Sequence, residues 1–141
     1  MRRAATLLLT ALTLSMASWS CGDDPVSPGE FAIDQATVEG TVVAGGEPVS
    51  QATLRIRVLR GGCEGDPLVT VPDLSADFDG SFLETVAVLA SGPTAIVGCI
   101  EILVTPPAGS GLETTTVEID GVQFARSPAP PPIVEVEISL D

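Results

Sequence analysis

The sequence predicts an all-β protein, a sandwich of two packed antiparallel sheets. Three observations carry this. Between Thr37 and Leu140 short stretches of alternating apolar and polar residues recur, the period of two that a half-buried strand requires. Turn-forming residues punctuate them, with 14 Gly and 12 Pro in 141 residues, which keeps each strand short. No stretch after the N-terminal leader repeats its apolar residues at helical spacing, so the apolar face of one sheet has only another sheet to pack against.

The chain begins with Arg2 and Arg3, followed by an apolar run from Ala4 to Ala17 that ends in small residues. That is the pattern of an exported leader, and the run is shorter than the roughly 20 residues a membrane-spanning helix needs. At Ser18-Trp19-Ser20-Cys21-Gly22-Asp23-Asp24 the chain resembles a bacterial lipoprotein processing site, with small Ser18 and Ser20 before Cys21. It departs from the usual pattern where Ser18 replaces the commonest Leu and where Trp19 is bulky. The resemblance implies cleavage before Cys21 and a lipid on its thiol. A plain secretory cut at the same point competes, because Ser18 and Ser20 also suit ordinary signal peptidase.

Cysteine arithmetic supports the lipid independently. Three cysteines would leave one thiol over in an oxidising compartment. Acylating Cys21 leaves Cys63 and Cys99 as one disulfide. The expected organisation is therefore a signal peptide over residues 1–20, a flexible tether over 21–35, where Pro, Gly and Asp mix without periodicity, and one β-sandwich domain over 36–141.

Within that domain, the first strand runs from Thr37 to Ala44 and turns at Gly45-Gly46-Glu47-Pro48. The second alternates Ala52, Leu54, Ile56 and Val58 with Thr53, Arg55 and Arg57. After a Gly-rich break at Gly61 to Pro67, a segment from Leu68 to Asp77 is interrupted by Pro72, which suits an edge. Asp79-Gly80 predicts a two-residue hairpin turn with positive φ at both positions. The fourth strand, Phe82 to Leu89, opposes Phe82, Val86 and Val88 to Leu83, Ala87 and Leu89, so its buried face is left open. The fifth, Ala95 to Val104, places Cys99 on the outer face. A loop at Thr105 to Gly111 leads to a sixth strand around Thr115, Val117 and Ile119, which Asp120-Gly121 is expected to turn into a short partner holding Val122 and Phe124. After the proline-rich spacer Ser127 to Pro132, Ile133 to Leu140 closes the sandwich.

At Val38-Glu39-Gly40-Thr41-Val42, at Gly46 to Leu54 and at Asp77-Phe78-Asp79-Gly80-Ser81-Phe82 the chain resembles carboxypeptidase regulatory-like domains, and the loop from Val104 to Gly109 resembles one in collagen-adhesin repeats. The resemblance covers residues 36 to 140 and implies a seven-stranded antiparallel Greek-key sandwich of the transthyretin-like kind. The isopeptide crosslink of the adhesin repeats is ruled out, because the chain has no lysine.

Composition bounds the chemistry. Formal net charge is −13. Without Arg2 and Arg3 only Arg55, Arg57, Arg60 and Arg126 oppose 19 acids, so nucleic acid is not an expected partner. His, Lys, Asn and Tyr are absent and the only Trp lies in the leader. A serine nucleophile has no base beside it, and no catalytic residue, enzymatic activity or cofactor is expected. Asp73, Asp77 and Asp79 with Gly80 resemble part of a calcium loop, with Glu84 at the twelfth position. Ser75 at the third and the displaced Gly80 break the pattern, so the hairpin reading is preferred and the three aspartates stay only as weak metal candidates. Arg55, Arg57 and Arg60 are expected to balance acids such as Glu135 and Glu137 on the same sheet. The expected function is a non-enzymatic protein of the bacterial cell envelope, held by a lipid on Cys21 at the outer membrane or on the periplasmic side. Its role would be structural, or an interaction with another envelope protein or a glycan. The alternative is a secreted binding module taking a small ligand or cation through loops such as Gly61 to Pro67 or Pro106 to Gly111.

Overall fold

The computed structural model of the chain describes residues 31–141. The expected signal peptide, Cys21 and the tether up to residue 30 lie outside the described residues. Ten strands form two five-stranded sheets, and no helix occurs among the described residues.

The first sheet is organised by one long strand, Phe31–Ala44 (β1). Along one edge it pairs antiparallel with Ser81–Ser91 (β6) over Phe31 to Thr41 and with the short Glu47–Pro48 (β2) beyond. Along the other it pairs with Ala125–Arg126 (β9) and with Ile133–Leu140 (β10). The β1 and β10 pair is parallel, an exception to the expected antiparallel order. The chain changes sheet between β8 and β9, and the proline-rich segment then reverses it along the same edge of β1, so that β9 runs antiparallel and β10 parallel to β1. The second sheet places Thr53–Arg60 (β3) between Val97–Thr105 (β7) and an outer edge made of Pro67–Thr70 (β4) and Leu74–Ser75 (β5). Pro72 falls between those two pieces, where a missing N–H interrupts the ladder. Thr115–Gln123 (β8) pairs on the far side of β7.

Alternation decides what is buried. Val38, Val42, Leu54, Ile56, Val58, Phe82, Val86, Val88, Ile100, Ile102 and Val104 fill the space between the sheets, with Val122, Phe124, Ile138 and Leu140 closing one side. On β6 it is Phe82, Val86 and Val88 that point inward, and Leu83, Ala87 and Leu89 face outward. Gly40 sits in this core because a Cβ there would collide with the Val136 carbonyl oxygen and the Phe82 ring. Gly40→Ala is expected to cost about 1 to 3 kcal/mol by overpacking. A lowered urea midpoint at unchanged slope checks this, and an unmoved midpoint would mean that the Val136 backbone and the Phe82 ring both give way at little cost.

Several expectations are corrected. The β1 strand begins at Phe31, so residues 31–35 belong to the domain and not to the tether. Gly45 and Gly46 both take positive φ, as a tight turn between β1 and β2 requires. At Asp79-Gly80 only the glycine does so. The turn there is closed by Gly80 N–H to Asp77 O at 2.9 Å and Asp77 N–H to Ser81 O at 2.8 Å. It carries the chain from β5 in one sheet to β6 in the other, so it is not a hairpin between paired neighbours. Asp120-Gly121 does not reverse the chain either. These two residues oppose the single Cys99 across β7, with Gly121 at positive φ: a bulge that keeps β8 continuous and turns Val122 into the core.

Candidate functional site

A concave feature with converging polar groups lies on the outer face of the first sheet. Register builds it: Glu39 on β1 sits between Leu83 on β6 and Glu135 on β10, and Thr41 sits between Ser81 and Glu137. With Asp77 at one rim these residues line a groove of about 480 Å³. Four carboxylates line it and no basic side chain does, which favours cations or basic surfaces over anions. Among the described residues no three His, Cys, Asp or Glu side chains converge closely enough to hold a metal ion. The groove is thus a diffuse negative field with an apolar floor, not a chelating cage.

The three aspartates singled out from the sequence are drawn apart by the fold. Asp73 receives both Nε and Nη2 of Arg55, at 2.9 and 3.0 Å, and these hydrogen bonds hold its carboxyl below the usual carboxylate range. Both partners are exposed, so the pair contributes little to stability. Asp79 accepts from the N–H of Ser81 at 3.1 Å and from its hydroxyl, which lowers its pKa in the same direction. Only Asp77 lines the groove.

The expected balance of arginines against Glu135 and Glu137 is also corrected. Those glutamates are on the first sheet and the arginines on the second. Arg57 instead meets Glu101 directly across the β3 and β7 ladder, at 2.7 Å.

Cys63 and Cys99 are joined, with 36 residues of separation. Cys99 does face outward from β7, yet it is fully buried. The segment from Gly61 to Asp66 folds back so that Cys63 reaches it, and Arg60 N–H to Asp66 O at 2.9 Å closes the loop. Beside this loop Gly62, Cys63, Glu64, Glu118 and Asp120 line a second open concavity of about 510 Å³. The loop from Pro106 to Gly111 is mostly exposed and brings no titratable side chain to either concavity.

One charged constellation has no precedent in the sequence reading. Asp34 is fully buried on the inner side of β1. Arg126 on β9 reaches it with Nε to Oδ1 at 2.9 Å and Nη2 to Oδ2 at 3.2 Å, and Ile96 N–H donates to Oδ2 at 2.9 Å. The same guanidinium donates to the carbonyl oxygens of Gly92 and Thr94. Burial pushes Asp34 up, but the hydrogen bonds from Arg126 and Ile96 together with the guanidinium charge leave it below its ordinary value. One ion pair thus ties the start of β1 to the 92–96 connection and to β9. The available signal was parity: Asp34 shares the inward register of Ala32, Ala36 and Val38, a position where a lone carboxylate demands a buried cation.

No family model matches the chain, and no curated protein matches it. Among solved structures it is similar to 3-chlorocatechol 1,2-dioxygenase from Rhodococcus opacus 1CP, at 15% identity and a TM-score of 0.49, over 82% of this chain and 62% of that one. The chain therefore spans less than two thirds of that enzyme's length. The exclusion of enzymatic activity drawn from the missing His and Lys is corrected by this neighbour, since an enzyme has a similar outline. At that identity and score the neighbour assigns no activity, substrate or cofactor to this chain.

Proposed function

We propose that this chain is a lipid-anchored protein of the bacterial cell envelope, attached through Cys21 and acting in a structural or interaction role through its sandwich. The observation that carries the reading is the cysteine balance. Three cysteines are present and Cys63 is joined to Cys99, which leaves Cys21 as the odd thiol at the end of an export leader. The sandwich is read as a carboxypeptidase regulatory-like domain of transthyretin-like, Greek-key form. With β4 and β5 counted as one edge strand and the two-residue β2 and β9 set aside, seven strands remain, ordered β6-β1-β10 over β4-β3-β7-β8, which supports that reading. The acidic groove supports a basic partner surface over an anionic one.

Intact mass spectrometry of the protein extracted from native membranes tests the anchor. A mature chain starting at acylated Cys21 is expected. An unmodified Cys21 terminus in the soluble fraction would replace the anchor with secretion, and an uncut leader would remove both. Absorbance gives a second check: Trp19 is the only Trp and there is no Tyr, so the mature form is expected to be nearly transparent at 280 nm.

A further inference from the structure

Strand β6 has a free edge whose character points to a second copy of this chain. N–H and C=O groups of alternate strand residues point to opposite edges. On β1 the core-facing Val42 donates to Gly80 O and accepts from Val49 N–H on the β6 side, while the outward-facing Thr37 donates to Pro132 O on the β10 side. Core-facing residues of β1 therefore bond to β6. Their partners Val86 and Val88 in turn spend their backbone groups on β1. Leu83, Thr85, Ala87 and Leu89 must then aim N–H and C=O away from the sheet. Ser81 follows the same rule, since its carbonyl on that edge accepts from Asp77. Beyond it no strand pairs with this edge among the described residues.

Such edges are normally blunted by charge, proline or bulges. Here Thr85 to Ser91 contains no charge, no Pro and no Gly, and Leu83 and Leu89 are 65% and 69% exposed.

We propose that β6 pairs antiparallel with β6 of a second copy about a two-fold axis at Ala87, joining the two first sheets into one. Charge selects this occupant. The chain is strongly acidic, so two copies approach closely only where no like charges face each other, and the stretch from Thr85 to Ser91, paired about Ala87, meets that condition. The register sets Ala87 opposite Ala87, Thr85 opposite Leu89 and Glu84 opposite Ala90. Arg60 lines a cavity of about 100 Å³ together with Val88, Leu89, Ala90 and Ser91, and neither Arg60 nor Glu84 has an ion-pair partner among the described residues. The two-fold thus brings Glu84 of each copy toward Arg60 of the other, twice, as an isologous interface requires.

The test is cysteine scanning in the full chain carrying Cys21→Ser, with Cys63 and Cys99 already joined. A residue directly opposite itself in a hydrogen-bonded pair has Cα atoms about 5.5 Å apart, within disulfide reach. Under mild oxidation Ala87→Cys is expected to give a covalent dimer on non-reducing gels. Thr85→Cys alone and Leu89→Cys alone are expected to give little, and a mixture of those two is expected to crosslink. The charged pair is tested on the Ala87→Cys background: Arg60→Glu or Glu84→Arg alone is expected to slow crosslinking about tenfold, and the two together to restore it. Crosslinking at Ala87→Cys no faster than at the exposed Ser139→Cys on β10, or equal self-crosslinking at all three β6 positions, would overturn the proposal. So would a charge swap that fails to restore the rate.

Discussion

Replacing Cys63 and Cys99 together by alanine is expected to lower the unfolding free energy by roughly 4 kcal/mol, the chain-entropy value for a loop of this size. That is a large share of the 5 to 15 kcal/mol or so that holds an ordinary domain together. A local effect accompanies the global one. Leu59, the cross-strand partner of Cys99, is 3% exposed, and the adjoining segment from Gly61 to Asp66 contains three glycines and is held to β7 by the disulfide. Without the bond the loop has little to keep it down, so limited proteolysis is expected to cut between Gly61 and Asp66 before the rest of the domain yields. Urea melts of the oxidised protein and of the double variant measure the first effect, and mass mapping of early fragments measures the second. A loss below about 1 kcal/mol with no preferred cut would mean that the loop packs by itself.

Strand existence was legible in the sequence wherever one face is buried, because alternation is then enforced residue by residue. The β3 strand with Leu54, Ile56 and Val58, and β10 with Ile138 and Leu140, are such cases. The open question on β6 shows the limit: both faces of that strand are apolar, and only the position of the second sheet chooses Phe82, Val86 and Val88. The turn motifs misled where a local rule met a long-range one. Asp79-Gly80 has hairpin composition, but its flanking strands belong to different sheets. Asp120-Gly121 has the same composition and becomes a bulge, since Phe124 and Val122 are both needed in the core. The first residues of β1 were hidden by the tether-like composition just before them, and the parallel pairing of β10 has no sequence signature at all. Of the site residues, the disulfide followed from counting, whereas the groove carboxylates Glu39, Glu135 and Glu137 come together only through the β1 and β10 register.

Arg126→Ala is expected to destabilise the domain by about 3 kcal/mol, because it strands the buried Asp34 carboxylate, with a fall in melting temperature of roughly 10 °C. The pH dependence identifies the cause. In the intact protein the Asp34 pKa is depressed, so its contribution is present above the unfolded value near 4 and is lost as pH falls through the folded one. In Arg126→Ala the cation is gone and only the Ile96 N–H still opposes burial, the largest influence, so the Asp34 pKa rises above the unfolded value. The sign then reverses: folding is least penalised at low pH, and the penalty grows as pH rises through the unfolded value. The stability gap between variant and wild type is therefore expected to be widest at neutral pH and to close on acidification toward pH 4. Removing both charges, with Asp34→Ala and Arg126→Ala together, is expected to cost less than Arg126→Ala alone, since no unpaired charge is then buried. Guanidinium melts between pH 4 and 8 on the three proteins measure all of this. A gap that stays constant with pH would move the loss from the stranded carboxylate to the hydrogen bonds Arg126 gives to Gly92 and Thr94, and the ion pair would then be a loop clasp and not an electrostatic lock on β1.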